Sequence, residues 1–312
     1  MSAEKPPPRG AAKMPKGEIK PDSARSLSKL GYLYSIPMGV WFTILFVLPL
    51  LIIAVYSVLQ RGLYGGVERI FSLQAYSEML NPKYARVVLR TVEVAFFATV
   101  FSMLLALPCG YAMARSKNQT LYLILIMIPF WINSLIRIFG WMSILGNDGY
   151  LNTILRSLGF ISDYAQFLYN KNAVILVSVY MYLPYAVLPI FTAIDRFDFS
   201  LLEAARDLGC TKPGAMFRIL LPSIRSGIFT AVIFTFIPVF GAYTVPLLVG
   251  GMDSYMLGNI IVDQMMTMHN WPLASAFSMV ITLVSTALVV WMLVAGRTEK
   301  NEKNARKSAK AA

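Results

Sequence analysis

The sequence predicts an all-α polytopic membrane protein with six transmembrane helices. Of its 312 residues, 57% are hydrophobic and only 14% are charged, and the mean hydropathy is +0.60. A water-soluble domain has about 25% charged residues, so this composition excludes an ordinary soluble globule. Several apolar runs reach about 20 residues, the length that a helix needs to cross roughly 30 Å of hydrocarbon at 1.5 Å per residue.

Six apolar segments account for the predicted spans. The first is too long to be the apolar part of a cleaved signal peptide, and it begins only after a polar N-terminal stretch. Several spans contain prolines, and we interpret most of these as packing kinks, because neighbouring helices can satisfy the backbone groups that a proline frees. The predicted spans are residues 34–59, 87–113, 120–145, 172–194, 225–249 and 273–295.

The distribution of basic residues predicts that both termini are cytoplasmic. Six spans put the termini on one side, and that side carries 20 of the 28 Lys and Arg residues against 9 of the 16 acidic ones. Cytoplasmic loops are enriched in Lys and Arg, so we expect a multi-pass protein of the bacterial inner membrane. Contact with anionic membrane lipid then explains the net charge of +12, and nucleic acid is not needed.

Composition divides the chain into three parts. Residues 1–33 are predicted to be a basic, disordered cytoplasmic arm, and residues 296–312 a basic cytoplasmic tail. Residues 34–295 form the predicted transmembrane domain, which includes a long cytoplasmic loop at 195–224.

The chain lacks the motifs of a membrane-embedded enzyme or of an ATPase. It contains no HExxH, GxSxG or GxxxxGK[ST] sequence, so any ATP hydrolysis would require another subunit. The single histidine, His269, cannot build a histidine-rich metal site and is interpreted as a polar loop residue. The two cysteines, Cys109 and Cys210, are predicted to be free thiols. The sequence therefore predicts no catalytic residue, no metal site and no cofactor.

The loop between the fourth and fifth spans is predicted to form two short helices. Ser200 and Glu203 have the spacing of a capping box, in which the hydroxyl accepts a backbone N–H bond and the carboxylate reaches back. Gly209 has the position of a glycine that ends a helix in the left-handed region. Thr211 is predicted to cap the second helix, and Pro222 to end it.

The first of these helices is predicted to be amphipathic, with Leu202, Ala205 and Leu208 on one side. The small residues Ala204 and Ala205 would let the groove of another protein approach closely. Taken from the residues alone, the pattern fits a membrane-surface helix about as well as a docking knob.

This loop resembles the EAA loop of permease subunits in binding-protein-dependent ABC importers. The resemblance is in Glu203-Ala204-Ala205, in Gly209 and in Leu221-Pro222, and the position of the loop between spans four and five agrees. In that family the loop is a coupling helix that docks on the ATP-hydrolysing subunit. The resemblance therefore implies the MetI-like architecture of a type I importer permease and a non-catalytic transport subunit. The implied ATPase-coupling residues are Glu203, Ala204, Ala205, Asp207, Gly209, Leu221 and Pro222.

Two further segments, residues 129–152 and 250–276, are similar to permeases of spermidine/putrescine importers. The residues that carry this similarity are Pro129, Phe130, Trp131, Ile132, Asn133, Arg137, Trp141, Gly149, Asn152, Gly250, Gly251, Ser254, Met256, Gly258, Asn259, Gln264, Trp271 and Pro272. Together with the loop, the resemblance covers most of residues 34–295. It implies a permease that moves polyamine across the inner membrane, with another small organic cation or solute as the alternative cargo.

The same resemblance implies a set of partners. They are a dimeric ABC ATPase, a second and usually non-identical permease subunit, and a periplasmic substrate-binding protein that delivers the polyamine. Two other classes, a membrane-embedded enzyme and a scaffold that anchors an ATPase, remain as alternatives. The missing catalytic motifs count against the first, and the charges inside the spans count against the second.

Two charged residues lie inside the predicted spans, Glu93 in the second and Arg137 in the third. An unpaired charge in lipid costs about 2.5–3.5 kcal/mol on insertion scales. The two residues lie at similar predicted depths, about 9 Å and about 12 Å below the outer face at 1.5 Å rise per residue. We predict a structural ion pair between them, with a direct role in substrate binding as the alternative.

A path for a polyamine should offer carboxylates and aromatic rings, because attraction between an amine and a ring contributes roughly 0.5–2 kcal/mol. The candidates in the outer half are Trp131, Tyr182, Tyr243 and Asp263. For each aromatic residue, a place in the interfacial belt or in ordinary packing is the competing interpretation. For Asp263 the competing interpretation is a solvated loop carboxylate.

Overall fold

The computed structural model describes residues 35–161 and 163–311, and it is helical apart from one short hairpin. The predicted arm at residues 1–33 lies outside the described residues. The strands are β1 Leu59–Arg61 and β2 Val67–Phe71. The helices are α1 Ser35–Ser57, α2 Gln74–Met79, α3 Pro82–Arg115, α4 Gln119–Trp131, α5 Ser134–Leu145, α6 Tyr150–Ser157, α7 Lys171–Asp195, α8 Ser200–Asp207, α9 Lys212–Ser223, α10 Arg225–Phe240, α11 Thr244–Val249, α12 Leu257–Met266 and α13 Trp271–Ala311.

The all-helical polytopic fold predicted from the sequence is confirmed. Four of the described helices are long and apolar enough to cross a membrane, namely α1, α3, α7 and the part of α13 from Trp271 to Met292. Two bent pairs raise the number of candidate spans to six if each pair is one span. The first pair joins α4 to the segment of α5 and α6, and the second joins α9 to α10.

Two predicted spans, 120–145 and 225–249, are each interrupted by a break that is larger than a packing kink. The first bends by 90° between α4 and α5, where Pro129 lacks an N–H in the last turn of α4. Asn133 then caps α5 by accepting a backbone N–H bond of 2.8 Å from its first turn. The second is interrupted after Phe240, where α10 ends and the chain turns at Gly241 before α11.

The core is built around α7, which packs against α3 and α10. Small residues on α3 let the helices approach closely. At Gly110, for example, an added Cβ would lie 2.8 Å from Cγ2 of Ile190 on α7. The buried small residues on this face of α3 are Ala95, Ala98, Ser102 and Ala106. Two apolar clusters result, one of which includes the ends of α3 and α7 together with residues of α8 and α9.

The hairpin of β1 and β2 was not predicted from the sequence, and its loop is attached to the chain just before α13. The backbone N–H of Gly66 donates to the His269 carbonyl at 2.9 Å, and Nη2 of Arg61 donates to the Met268 carbonyl at 2.7 Å. Gly65 has φ +92°, and a Cβ there would lie 2.7 Å from Cβ of His269, so glycine is required. His269 is therefore a loop residue, as predicted, with a backbone role at this contact.

Candidate functional site

The segment between α7 and α10 forms the two short helices predicted from the sequence, α8 and α9; we call residues 200–222 the two-helix segment. The predicted capping box of Ser200 and Glu203 is wrong. Phe199 already has helical φ and ψ, so Ser200 lies within the first turn and its hydroxyl cannot cap it. The Asp198 carboxylate accepts the Ser200 backbone N–H at 3.0 Å instead. Hydrogen bonds from the side chain and backbone of Ser200 hold the pKa of the Asp198 carboxyl below its ordinary value.

The turn between α8 and α9 has the predicted geometry. Gly209 has φ +87°, which confirms the left-handed termination. The N–H of Cys210 reaches back to the Ala205 carbonyl at 3.0 Å, as in a Schellman motif. Thr211 caps α9 as predicted, since its hydroxyl accepts the Gly214 N–H at 3.3 Å. Helix α9 ends one residue after Pro222, where the chain bends by 72° into α10.

One face of helix α8 packs against the core, and the opposite face is exposed. Leu202 and Ala205 are buried in the cluster that includes the ends of α3 and α7. Leu208 is 90% exposed, so the prediction that it shares their face is wrong. Leu208 is the residue at which the chain leaves the helix, with ψ near 12°, and its side chain no longer follows the helical spacing.

The other residues implied by the resemblance are also accessible to a partner. Glu203, Ala204, Asp207, Gly209 and Pro222 are exposed, and Leu221 is half-buried. Within the E-A-A sequence, Glu203 and Ala204 thus face solvent while Ala205 packs inward.

Aromatic residues and a cation join α8 to the end of α3, and sequence reasoning missed this cluster. Cζ of Arg115 lies 4.9 Å from the centroid of the Phe199 ring. The rings of Tyr111 and Phe197 approach Phe199 edge-on, at centroid distances of 6.3 and 5.5 Å. Such contacts add about 0.5–1.5 kcal/mol per pair beyond the burial of area. The available sequence signal was the position of Arg115 at the end of an apolar span.

The predicted ion pair between Glu93 and Arg137 is wrong, because Glu93 pairs with a different cation. Nζ of Lys171, the first residue of α7, donates to Oε1 of Glu93 at 2.6 Å. Since α3 packs along α7, Lys171 is the nearer cation. Arg137 lies over the Phe130 ring at 4.7 Å, and its Nε and Nη1 atoms are buried with no hydrogen-bond partner among the described residues.

The four substrate-path candidates occupy separate places. Trp131 is exposed at the end of α4, and Tyr182 is half-buried on α7 with its ring 6.1 Å from that of Tyr185. Tyr243 lies in the break between α10 and α11, and Asp263 is half-buried on α12. Within the described residues, no hydrogen bond or ring contact joins any two of the four candidates.

Asp263 has a specific neighbour, Tyr255, in the turn before α12. Burial raises the pKa of the Tyr255 hydroxyl, and the negative charge of the nearby Asp263 raises it further. The Tyr255 hydroxyl donates to the Asn259 carbonyl at 3.4 Å, and the half-buried Asp263 carboxylate lies close enough for its charge to act on the hydroxyl. Its aromatic neighbour is of the kind that an amine-binding site uses.

Comparison with known proteins decides what kind of protein carries these features. Residues 79–298 match the family described as binding-protein-dependent transport system inner membrane component. This chain belongs to that family. It is a multi-pass membrane permease, the non-catalytic transmembrane component of an ABC importer, as the loop indicated.

Several individual proteins are similar to the permease. The spermidine/putrescine transport system permease protein PotB of Escherichia coli K12 is 36% identical over 255 residues, which cover 80% of this chain and 93% of that protein. The inner membrane ABC transporter permease protein YdcU of the same organism is 31% identical over 261 residues, which cover 77% and 81%. A chain from a bacterial ABC transporter involved in the import of the acidic polysaccharide alginate has the same fold, with a TM-score of 0.70, 15% identity, and 88% and 98% coverage.

Loss of the Asp198 cap is expected to loosen the first turn of α8 in the permease. Asp198→Ala removes the acceptor and should speed hydrogen exchange of the α8 amides, whereas Asp198→Asn retains a capping oxygen without the charge and should speed it less. The pKa of the Asp198 carboxyl is lower in the folded protein than in the unfolded chain. The stabilisation of α8 by the charge of Asp198 is therefore fully present above the pKa of the unfolded chain. It is lost as pH falls through the lower folded value, so below about pH 4 the protection of the wild type should approach that of Asp198→Asn. Equal exchange in both variants at neutral pH would rule out this cap.

Loss of either member of the Glu93–Lys171 pair is expected to lower the free energy of unfolding by about 1–2 kcal/mol. This lies between the values for surface and buried pairs, because the two side chains are 42% and 39% exposed. Glu93→Gln and Lys171→Gln should each lower the melting temperature, and the exchange of the two residues should recover most of the loss. Asp253→Asn is the control, since Asp253 is 99% exposed and 3.9 Å from Arg90 and should change little. A double variant no more stable than either single variant would contradict the pairing.

Proposed function

We propose that this permease moves a polyamine, putrescine or spermidine, across the inner membrane as one of two permease subunits of an importer. The observation that carries the proposal is 36% identity to a spermidine/putrescine permease over 93% of the length of that protein. Another small organic cation or solute is the alternative cargo, because the 31% identical relative YdcU has no substrate in its name.

The proposed orientation has both termini in the cytoplasm and the two-helix segment on the same side. It is supported by the placement of 20 of the 28 Lys and Arg residues on that side. The hairpin and the segment that carries Asp263 then lie on the outer side, where a binding protein delivers its cargo.

The proposed coupling to the ATPase passes through α8. The exposed residues Ala204, Asp207 and Leu208 would dock on the ATPase, while the buried residues Leu202 and Ala205 hold the helix on α3 and α7. ATP binding closes the ATPase dimer and draws two such docked segments together. The packing of α8 on two spans would carry this movement into the membrane domain, and hydrolysis would reset it.

The charged residues near each of the four candidates indicate which candidate could contact a polycation. Arg137 is close enough to Tyr182 to interact electrostatically with it, and this half-buried cation would repel an amine there. Among the described residues, no Lys, Arg or His nitrogen lies within 4.0 Å of the Asp263 carboxylate, and Tyr255 is close enough to interact with it. Among the four candidates, Asp263 is therefore the favoured contact.

Replacement of Asp263 tests this contact. Asp263→Asn is expected to raise the polyamine concentration that half-saturates uptake by about 5–30-fold, since a charge-assisted hydrogen bond contributes about 1–2 kcal/mol more than an uncharged one. Asp253→Asn makes the same chemical change at a side chain that is 99% exposed and should leave uptake unaltered. Unchanged uptake by Asp263→Asn would remove this residue from the path.

The decisive test of the function is uptake by the reconstituted importer. The permease, its partner permease and the ATPase are placed in proteoliposomes with the binding protein outside. Uptake of labelled putrescine and spermidine is then measured with ATP inside. We expect ATP-dependent accumulation that requires the binding protein. Accumulation of another solute without polyamine uptake would overturn the cargo, and intact assembly without any uptake would favour a scaffold.

A further inference from the structure

A pocket of about 380 Å³ lies between the end of α3 and one face of α8. Phe199, Leu202, Glu203 and Arg206 have the i, i+3, i+4, i+7 spacing that places them on a single helix face, and all four line the pocket. The opposite wall is the last turn of α3, with Tyr111 and Arg115. None of the residues proposed to dock on the ATPase, other than Glu203, belongs to its lining.

The pocket is positively charged. Arg115, Arg206 and Lys212 line it, against the single carboxylate of Glu203. In the part of the chain that the structure describes, none of these three cations has a carboxylate oxygen within 4.0 Å. The Phe199 ring lies against the Arg115 guanidinium, which restricts its orientation but supplies no acceptor for its N–H groups. Three cationic side chains thus line an open volume together with one carboxylate, that of Glu203.

The position of the pocket indicates from which side a ligand arrives. Arg115 is the last residue of the span α3, and Tyr111 lies one turn earlier, about 6 Å along the helix. Because α3 is a candidate span, we place its last turn, and with it this side of the pocket, at the depth of the lipid headgroups, while the other side of the pocket is α8. With the proposed cytoplasmic orientation, that depth belongs to the leaflet that carries anionic lipid.

We propose that this pocket binds the headgroup of an anionic phospholipid. The phosphodiester oxygens accept hydrogen bonds from the guanidinium groups and from the Lys212 ammonium, and the Tyr111 side chain closes the membrane side. With three cations and the one carboxylate of Glu203, the pocket keeps a net positive charge. The Glu203 carboxylate can accept a hydrogen bond from a headgroup hydroxyl. A lipid held here contacts α3 and α8 together, so it stabilises α8 in the position that the ATPase meets. This inference rests on the proposed orientation and not on the identity of the cargo.

The test measures lipid retention directly on the whole importer. The complex is purified from bilayers of phosphatidylcholine with increasing phosphatidylglycerol, and bound phosphatidylglycerol is quantified by native mass spectrometry. Arg206→Gln combined with Lys212→Gln removes two charges and is expected to weaken retention about 30-fold. Lys117→Gln combined with Arg218→Gln removes two exposed charges outside the pocket and should change retention less than threefold.

A conservative variant and a detergent measurement complete the test. Arg206→Lys keeps the charge and should keep most of the bound lipid, which would separate recognition from a loss of fold. Equal losses in the two double variants would overturn the pocket as a lipid site. Loss of the ATPase from the pocket variant in lipid-free detergent would also overturn it, because the pocket would then hold an acidic group of the ATPase. Absence of polyamine uptake with normal lipid retention would refute the proposed cargo alone.

Discussion

Replacement of Leu208 by asparagine is expected to detach the ATPase while the permease remains folded. Leu208 is 90% exposed in the free chain, directly after the short helix proposed to dock, and a large apolar side chain in that position is typical of an interface residue. Burial of a leucine contributes about 1.5–3 kcal/mol, so the loss predicts about 10–150-fold weaker binding of the ATPase. The measurement is a titration of detergent-solubilised permease pairs with ATPase, with the melting temperature of the permease as the test of fold.

Leu201→Asn is the matched control for this prediction. Leu201 lies on the same helix, is 49% exposed, and faces a different cavity between α7 and α10. The same substitution there should weaken ATPase binding by less than threefold. If both variants bind the ATPase as tightly as the wild type does, Leu208 is not part of the interface. If both variants lose ATPase binding equally, the loss is caused by a less stable α8 and not by a contact of Leu208.

Replacement of Gly227 by alanine is expected to lower the free energy of unfolding by about 1–3 kcal/mol, as overpacking does in a close-packed core. An added Cβ would lie 2.3 Å from Cβ of Ala193 and 3.2 Å from the Pro189 carbonyl oxygen, so α10 would be forced away from α7. Because α10 continues directly from α9 across a 72° bend, the displacement should also reduce transport. Thermal unfolding in detergent and uptake in proteoliposomes measure the two effects.

Gly140→Ala is the control for the helix crossing. Gly140 lies within α5, and an added Cβ there would meet no atom within 4 Å. The substitution should be neutral or stabilise the chain by about 0.5–1 kcal/mol, because alanine favours the helix over glycine. The same substitution is thus expected to destabilise the protein at Gly227 and to leave it unchanged or more stable at Gly140. A neutral Gly227→Ala would show that α7 and α10 are not packed this closely.

The features that the sequence predicted well are those that local chemistry determines. Apolar length identified the spans, and the order of glycine, threonine and proline after α8 determined the turn at Gly209 and the cap at Thr211. The resemblance in Glu203-Ala204-Ala205 and Leu221-Pro222 identified the family, which the match over residues 79–298 establishes. Each of these signals lies within a short stretch of chain.

The features that the sequence did not predict depend on which helices pack together in the folded protein. Glu93 was assigned to Arg137 because their depths were similar, yet Lys171 lies nearer in space at the start of the neighbouring helix. Leu208 was placed inward by helical spacing, which no longer holds where the chain leaves the helix. The cation–aromatic contact of Arg115 with Phe199 joins residues 84 positions apart, and the position of Arg115 at the end of an apolar span does not indicate which ring it meets.

The most direct test of the central claim, that the two-helix segment docks on the ATPase, is site-specific photo-crosslinking in the assembled importer. A photoreactive benzoylphenylalanine is placed at Asp207, which is exposed on α8, or at Tyr64, which is exposed in the hairpin loop. We expect irradiation to join the permease to the ATPase from position 207 and not from position 64. An intact importer that yields the ATPase adduct from position 64, or from neither position, would contradict the account.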